Sequence, residues 1–297
     1  MTPPRLPELG LGGGPLGNYL RAITDDQAGA VVEAAWAEGI RYFDTAPYYG
    51  LGLAERRLGA ALRGRARAEY VLSTKAGRLV RPGPGRPDGF VVPDDRHAEW
   101  DFSRDGVLRS LEESLTRLGT DHVDILLIHD PDRHWPQALD EGFAALAELR
   151  SQGVVKAIGV GMNQSPMLVD FVRRADPDVL LAAGQCTLLR RPAFAELLPL
   201  CLERGIPVIA AGLFHRGLLA DPPPEPPAEL RPILAACDDY GVPVATAAMR
   251  FPLRHPAVRS ILIGAHTAGQ VRANVAGFHR PVPEGLWQAL GGAVPEG

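Results

Sequence analysis

The chain has 297 residues, of which 46% are hydrophobic and 22% are charged, and its formal net charge at pH 7 is -4. This length allows one large α/β domain or two ordinary ones, with a sizeable core. The small negative charge gives no electrostatic basis for binding nucleic acid or an anionic membrane, so we expect neither as a partner.

Cysteine usage and the first residues indicate the compartment. Cys186, Cys201 and Cys237 are odd in number and widely spaced, which indicates buried thiols of a reducing compartment and not a disulfide or zinc framework. Residues 1–10 lack the apolar stretch of a signal peptide, and no apolar run reaches membrane length. We therefore expect a cytoplasmic protein, and its oligomeric state stays open.

The first predicted strand is glycine-rich. Residues 9–14 could be mistaken for a dinucleotide fingerprint, but Pro15 and Gly17 break the spacing that Gly-x-Gly-x-x-Gly needs to open a helix. A barrel strand whose glycines let a ligand or another strand approach is the better interpretation. A helix capped by Thr24 or Asp25 follows.

The next strand brings an acid and a phenol together. Residues 41–45 are compact, aromatic and apolar, and they predict a buried strand that presents Asp44 at its C-terminal end. Pro47 cannot continue the strand, because it lacks the amide hydrogen and its backbone is fixed. A loop therefore presents Tyr48 and Tyr49 beside the carboxylate, which indicates a functional site.

Three later apolar runs also end in a polar side chain. They are residues 70–75, 124–129 and 156–163, which end in Lys75, His129 and Asn163. Two segments lie outside this pattern. Residues 78–100 are rich in Pro, Gly and charge, lack a period and predict a lid or substrate loop, whereas residues 221–227 predict a proline-rich surface loop.

The order of the elements predicts the fold. Eight short apolar runs alternate with helices and suit parallel strands covered by helices, with no composition break between residues 1 and 297. Eight βα units predict a single-domain α/β protein, a (β/α)8 TIM barrel; a doubly wound sheet is the alternative. Because side chains at the C-terminal strand ends of a barrel converge, the polar strand ends should form one site.

The predicted site suits proton transfer. Alone, Asp44 could cap a loop and His129 could be a satisfied core histidine, but a lysine is seldom buried unless it is paired. A free tyrosine has a pKa of about 10, and the ammonium of Lys75 would lower it. Asp44 would hold Lys75 in place, and His129 would orient a carbonyl or hydroxyl. The arrangement suits interconversion of C=O and CH–OH with hydride from a cofactor.

The motifs resemble those of the aldo-keto reductase superfamily. Gly-Ile-Arg-Tyr-Phe-Asp-Thr-Ala-Pro-Tyr-Tyr-Gly at 39–50, Ser-Thr-Lys at 73–75 and Leu-Ile-His at 127–129 are similar to its three catalytic motifs. The resemblance implies a catalytic tetrad with Tyr49 as the acid/base, because Tyr49 directly precedes a glycine. The tetrad comprises Asp44, Tyr49, Lys75 and His129.

Residues 15–18, 48–53, 129–132 and 159–164 resemble the branch that includes D-threo-aldose 1-dehydrogenase, L-fucose dehydrogenase and pyridoxal 4-dehydrogenase. That branch implies oxidation of an aldose hemiacetal or a pyridoxal-like aldehyde to a lactone. The substrate would be a small sugar of the L-fucose, L-galactose or D-arabinose type, or an aldehyde. The residues that could line its pocket are Asn18, Tyr48, Trp100 and Trp135.

The resemblance also implies NAD or NADP as cofactor. The implied contacts are Asn163, Gln185, Phe214, Gly264, Ala265, His266, Gln270 and Asn274. Many NADP-dependent members place lysine and arginine against the 2'-phosphate, where this chain has Gly264 and Gln270. His266 and Arg272 are near these positions in the sequence, but without a strong cationic clamp NAD is slightly favoured. Backbone amides at the start of the last long helix can still bind phosphate.

Three alternatives remain at this stage. The chain could be a general NADPH-dependent aldehyde or ketone reductase, or a non-catalytic nucleotide-binding regulatory subunit. A metal enzyme with Asp44, His129 and Asp130 as ligands is the third, but Lys75 in the same site would repel a cation. We therefore expect no metal.

Overall fold

Eight parallel strands close into a barrel in the computed structural model, which describes residues 4–291. In chain order the strands are β1 (Leu9–Gly12), β2 (Tyr42–Asp44), β3 (Val71–Ala76), β4 (Arg78–Pro82), β5 (Arg96–Trp100), β6 (Ile125–His129), β7 (Ala157–Met162), β8 (Val179–Ala183), β9 (Val208–Ala211) and β10 (Val258–Ile263). The barrel order is β1-β10-β9-β8-β7-β6-β3-β2, whereas β4 and β5 form a separate sheet. The predicted (β/α)8 barrel is confirmed, and the doubly wound alternative is wrong. Residues 1–3 and 292–297 of the predicted domain lie outside the described residues.

Helices surround the barrel. In the part of the chain that the structure describes they are α1 (Asp25–Ala37), α2 (Leu53–Leu62), α3 (Arg104–Leu118), α4 (Trp135–Gln137), α5 (Phe143–Ser151), α6 (Ser165–Arg174), α7 (Pro192–Ala195), α8 (Leu197–Glu203), α9 (Arg231–Asp239), α10 (Val244–Arg250), α11 (Ala268–His279) and α12 (Glu284–Ala289). A π-helical turn, Ala138–Gly142, separates α4 from α5. None of the helices among the described residues is both long and apolar enough to cross a membrane.

Local chemistry fixes the helix ends. Thr24 caps α1, because its hydroxyl accepts from the Gln27 amide at 3.2 Å while the Gln27 side chain accepts from the Thr24 amide at 2.9 Å. This is a capping box, which satisfies two backbone donors at once. Ser103 caps α3 by accepting from the Gly106 amide at 3.1 Å, and α3 ends at Gly119 with a left-handed φ of 64°.

The core has an inner and an outer layer, because successive strand residues face opposite sides. The inner cluster comprises Tyr42, Ile125, Leu127, Ala157, Val179, Leu181, Ile209 and Leu262. The outer layer includes the intervening residues Phe43, Leu126, Ile128 and Leu180, which are buried with the apolar faces of the helices. Filling both sides makes the barrel a rigid frame for its strand ends.

The segment at residues 78–100 is more regular than expected. β4 and β5 pair antiparallel from Arg78 opposite Trp100 to Pro82 opposite Arg96. Gly77, at φ 98°, lets the chain leave β3, and a Cβ there would collide with the ring of Phe102. The predicted lid or substrate loop thus carries paired strands at both ends, and its tip, residues 83–95, lacks regular strands. The predicted proline-rich loop at residues 221–227 has no helix or strand and is mostly exposed.

Candidate active site

Three of the predicted tetrad residues lie where their strands end. Asp44 is the last residue of β2, Lys75 is the second-last of β3 and His129 is the last of β6. Asp44 lies opposite Ser73, and the register of β6 with β7 places His129 opposite Gly161. The stagger of the barrel strands thus brings side chains from distant parts of the sequence to one end.

The fourth residue, Tyr49, is carried by the loop between β2 and α2. Its amide donates to the Ala46 carbonyl at 3.1 Å. Gly50 follows with φ 62°, and a Cβ there would collide with the backbone of Gly17 in the loop after β1. Glycine at position 50 therefore lets the two loops pack backbone to backbone, which fixes the position of Tyr49.

Asp44 and Lys75 form a buried ion pair. The distance from Lys75 Nζ to Asp44 Oδ2 is 2.8 Å, and the two side chains are 1% and 3% exposed. Lys75 Nζ also donates to the Thr45 carbonyl at 2.8 Å. Burial by itself would lower the pKa of Lys75, but the nearby Asp44 carboxylate and Tyr49 phenol outweigh it and raise that pKa. Lys75 is therefore an ammonium at neutral pH.

Sequence reasoning missed two groups that hold Asp44. Ser73 Oγ donates to Asp44 Oδ1 at 2.7 Å, and the hydroxyls of Tyr42 and Ser73 are 3.1 Å apart. Both were within reach of the period-2 rule, because Tyr42 lies two residues before Asp44 and Ser73 two before Lys75. Residues two apart share one face of a strand, so Tyr42 had to lie on the face of Asp44 and Ser73 on the face of Lys75.

Two opposing influences act on the Tyr49 phenol. Burial raises the pKa of Tyr49, while the Lys75 charge lowers it without cancelling the rise. Lys75 Nζ lies 4.7 Å from the centre of the Tyr49 ring. At neutral pH Tyr49 is therefore protonated in this structure, with a cation beside it that favours release of the proton.

His129 is neutral. Burial lowers the pKa of His129 well below its usual value, and the charges of Arg78 and Lys75 add to this effect. Its ring meets the Tyr49 ring edge-on, with the centres 5.7 Å apart. Its Nδ1 is buried and has no hydrogen-bond partner among residues 4–291. A neutral imidazole can donate one hydrogen bond and accept another, which suits orienting a substrate oxygen.

The hairpin tip covers the phenol. The Phe90 ring is stacked on the Tyr49 ring with a centre distance of 5.8 Å and an interplanar angle of 22°. Phe90 also contacts Tyr19, at 5.1 Å between ring centres. The Asp88 amide donates to the Tyr48 hydroxyl at 3.1 Å. Phe90 was missed from the sequence, where the segment around it has no pattern to mark a contact.

The four predicted substrate residues occupy different places. Tyr48 lies beside the tetrad, with its ring centre 6.2 Å from that of His129. Asn18 is buried and donates from Nδ2 to the Val91 carbonyl at 3.0 Å, so it anchors the hairpin tip. Trp100 lies on β5 and is 44% exposed.

Trp135 is not brought to this cluster. Its indole nitrogen donates to Asp170 Oδ2 at 3.0 Å, and its ring packs edge-on against Phe171 of α6. Within the described part of the chain, none of its hydrogen bonds or ring contacts joins it to the tetrad. The structure thus places Trp135 in the helical layer, where it connects α4 to α6.

The predicted cofactor residues of the middle strands lie at the same end of the barrel. Asn163 is exposed directly after β7. Gln185 is buried after β8, where its Oε1 accepts from the Ser165 amide at 3.2 Å and its Nε2 donates to the Ala183 carbonyl at 3.3 Å. Phe214 is half-buried in the loop after β9, against the apolar core.

The start of α11 fits the phosphates of a nicotinamide dinucleotide. Thr267 caps the helix by accepting from the Gln270 amide at 3.1 Å, and Gln270 Oε1 accepts from the His266 amide at 2.8 Å. The amides of Ala268 and Gly269, in the first turn, have no partner within the described region and can bind an anion. Gly264 and Ala265 precede this turn, while Asn274 is half-buried further along α11.

The other ligand classes find less support. Among residues 4–291 no group of three or more His, Cys, Asp or Glu side chains is placed to hold a metal ion. Cys186, Cys201 and Cys237 are buried free thiols. The site thus offers a paired lysine, a phenol and a neutral imidazole for moving a proton, and the start of α11 offers backbone amides suited to phosphate.

Comparisons with known proteins bear on the family of the chain. The sequence model of the aldo/keto reductase family matches residues 8–292. A D-threo-aldose 1-dehydrogenase from a Pseudomonas species is 46% identical over 306 residues, covering 96% of this chain and 93% of the relative. A pyridoxal 4-dehydrogenase from Microbacterium luteolum is 39% identical over 317 residues, covering 95% of this chain and 92% of the relative.

A solved structure matches the whole barrel. The aldo-keto reductase from Bacillus halodurans, in its holo form, has a TM-score of 0.78 and 27% sequence identity, and the match covers 97% of this chain and 94% of that chain. The fold, the family match and the dehydrogenase relatives together make the protein an oxidoreductase enzyme, so the regulatory-subunit alternative is wrong. The chain belongs to the aldo/keto reductase family.

Proposed function

We propose that the enzyme is an NAD(P)-dependent dehydrogenase that oxidises the cyclic hemiacetal of a small aldose to a lactone. L-Fucose, L-galactose and D-arabinose represent the aldose class, and a pyridoxal-like aldehyde is the related substrate. The observation that carries the proposal is the contact of the half-buried Tyr49 ring with Lys75, which is held in a buried ion pair with Asp44. The names of the two dehydrogenase relatives support oxidation at an aldehyde carbon.

The side chains have distinct roles in this reaction. A bound nicotinamide would accept the hydride that leaves C1 of the sugar. In its phenolate form, Tyr49 takes the proton of the anomeric hydroxyl as the C1–H bond breaks and the C1=O bond of the lactone forms. Lys75 stabilises the phenolate, and Asp44 keeps Lys75 charged and in position. Neutral His129 orients the reacting oxygen by a hydrogen bond.

The residues after β10 support NAD over NADP. Gln270 is uncharged, and its side-chain oxygen is already bonded to the His266 amide. The His266 ring is bonded to the Tyr19 carbonyl, 2.7 Å from Nε2. Burial, the largest cause, lowers the pKa of His266, so it offers no charge to a 2'-phosphate at neutral pH. We propose that NAD is the preferred cofactor.

One observation favours a second function, a general aldehyde or ketone reductase. Because burial raises the pKa of Tyr49, the phenol is protonated at neutral pH and is ready to donate its proton to a carbonyl oxygen. The same four residues would then work in the opposite direction. Reaction direction and cofactor preference separate the two functions.

The test follows absorbance of the reduced nicotinamide. NAD or NADP is mixed with L-fucose, L-galactose, D-arabinose or pyridoxal, and Tyr49→Phe serves as the matched control. Reduction of NAD by the unaltered enzyme, with none by Tyr49→Phe, supports the proposed dehydrogenase. No reduction with any of the four, together with NADPH consumption by simple aldehydes, contradicts it and supports the reductase.

A further inference from the structure

Arg78 and Asp130 form an ion pair beside the tetrad that the proton-transfer chemistry does not use. Arg78 opens β4, directly after the turn that leaves β3, and Asp130 directly follows His129. Arg78 Nη2 lies 2.9 Å from Asp130 Oδ2. The pair therefore connects the base of the hairpin to the strand end that carries His129.

Arg78 has hydrogen-bonding capacity that the protein leaves unused. It is only 8% exposed. Its Nε is buried without a hydrogen-bond partner among the residues that the structure describes. A guanidinium is always charged and carries five N–H donors, so an unpaired buried donor is costly unless a ligand accepts from it. Arg78 is thus more than a structural partner of Asp130.

The position of the pair relates it to the reacting carbon. Asp130 Oδ2 lies 3.5 Å from His129 Nε2, the side chain that would orient the reacting oxygen. The Arg78 guanidinium carbon lies 4.5 Å from the centre of the Tyr48 ring. The pair and His129 are thus close enough to bind oxygens on neighbouring carbon atoms of one substrate.

The backbone at Asp130 is held in an uncommon conformation. Its φ is 39°, in the left-handed region, and its amide donates to the Gly161 carbonyl at 3.0 Å. Aspartate adopts this conformation more readily than most residues, and the amide contact with β7 holds it there. The strand end thus fixes the direction of the carboxylate.

Charge selects the kind of ligand. Asp130 offsets the charge of Arg78, Asp44 offsets that of Lys75, and His129 is neutral. Among these described groups the charges thus balance, and they leave no excess cation to attract a phosphate or carboxylate group. A hydroxyl group can accept from Arg78 and donate to Asp130 at the same time.

We infer that Arg78 and Asp130 bind the hydroxyl group on the carbon next to the reacting carbon, and that this contact selects neutral 2-hydroxy aldehydes and aldoses. The inference rests on the proposed function for its aldose substrates. It also predicts that aldehydes with a hydroxyl group beside the carbonyl are preferred over those without one, and this prediction does not depend on lactone formation.

Two sugars that differ in one hydroxyl test the inference. D-Arabinose and 2-deoxy-D-ribose differ only at carbon 2, and kcat/KM is measured for both. A hydrogen bond to a charged group contributes enough to make the unaltered enzyme favour D-arabinose by about 10- to 100-fold. In Asp130→Asn the ratio should fall below about threefold, mainly because D-arabinose is used less well.

The variants are chosen to keep the fold. Asparagine tolerates a left-handed backbone, so Asp130→Asn retains the local conformation. Arg78→Lys keeps the charge but lacks the forked donors, and its ratio should fall as well. The matched control is Arg81→Lys, three residues along the same strand, where Arg81 bonds to Glu113 at 2.8 Å. Its ratio should equal that of the unaltered enzyme.

A purely positioning role gives a different result. If Asp130 only placed His129, both sugars would lose activity by the same factor, and the unchanged ratio would overturn the inference. Equal use of both sugars by the unaltered enzyme would overturn it too.

The proposed function can fail separately. If no aldose is oxidised, reduction of lactaldehyde and propanal gives the same comparison, because they differ by one hydroxyl beside the carbonyl. A preference for lactaldehyde that Asp130→Asn removes supports the inference without the dehydrogenase activity. Equal reduction of the two by the unaltered enzyme overturns it.

Discussion

The ammonium nitrogen of Lys75 lies 4.7 Å from the centre of the Tyr49 ring, in a cluster where Lys75 is buried and Tyr49 is half-buried. Burial raises the pKa of Tyr49, and the charge of Lys75 acts against that rise. The two influences come from different residues. The Phe90 ring of the hairpin tip contributes to the burial of Tyr49, whereas Lys75 of β3 supplies the charge. Mutations can therefore change them separately and in opposite directions.

The first prediction concerns the phenol itself. Tyr49→Phe removes the only group that the proposal uses to exchange a proton with the substrate. Turnover should fall by about 10²- to 10⁴-fold, the usual contribution of general acid–base catalysis. Cofactor affinity, measured by quenching of protein fluorescence, should stay the same because the ring still packs against Phe90.

Two further tyrosines give the controls for that experiment. Tyr70→Phe changes a ring that packs on Phe43 in the outer core layer, and turnover should not change. Tyr48 is the competing proton donor, but its hydroxyl accepts from the hairpin amide of Asp88. Full activity in Tyr49→Phe combined with inactivity in Tyr48→Phe would reverse the assignment.

The second prediction concerns the charge beside the phenol. Lys75→Met removes the influence that lowers the pKa of Tyr49, so this pKa should rise further. An opposite charge at this range typically shifts a pKa by one unit or more. Because oxidation needs the phenolate, the rising limb of kcat/KM against pH should move to higher pH by at least about one unit.

Lys156→Met is the matched control for the charge. Lys156 is also paired with a buried aspartate, since its Nζ lies 2.7 Å from Asp124 Oδ1, but that pair lies at the opposite ends of the strands. Its pH profile should match that of the unaltered enzyme. If the pH profile of Lys75→Met also matches that of the unaltered enzyme, Lys75 has no role in proton transfer.

The barrel and the strand-end positions of Asp44, Lys75 and His129 could be predicted because each strand carries local signals. Apolar runs that end in Asp44, Lys75 and His129 mark strand ends, and parallel strands must place those ends together. The two-residue spacing of Tyr42 and Asp44 carried further information about the hydrogen-bonded cluster that the sequence reasoning did not use.

The hairpin could not be predicted in the same way. Leu79 is the one buried apolar residue of its two strands, so no alternation of apolar and polar residues marks them. The prolines and glycines between the strands gave no sign of the pairing. The contact of Phe90 with Tyr49 depends on how a long loop folds back over the barrel. Trp135 is the opposite example. Its position after a strand end suggested a substrate contact, but its indole nitrogen donates to Asp170 in the helical layer.

The third prediction concerns the stability of the buried ion pair. Asp44→Asn leaves the Lys75 ammonium without its carboxylate in a site where both side chains are almost fully buried. Removing one partner of such a pair costs about 3–5 kcal/mol of the free energy of unfolding. Urea denaturation at pH 8 should show this loss, and Asp44→Asn combined with Lys75→Met should lose less than Asp44→Asn alone.

The choice of pH follows from the direction of the Lys75 shift. The pKa of Lys75 is raised in the folded state, so its contribution to stability is complete below the unfolded value of about 10.4. That contribution is lost as the pH rises through the folded value. Arg173→Ala, at an exposed pair with Glu196, is the control and should leave stability unchanged. Additive losses in the double variant would contradict the pairing argument.

The last prediction concerns the hairpin tip as a cover. Phe90→Ala opens the stacked face of Tyr49 to water, and burial is the largest cause of the raised pKa of Tyr49. The pKa should therefore fall, and the rising limb of kcat/KM for oxidation should move to lower pH, opposite to the shift in Lys75→Met. Val91→Ala, at an exposed neighbour, should keep the original profile. A shift to higher pH in Phe90→Ala would show that the tip acts on the phenol by something other than excluding water.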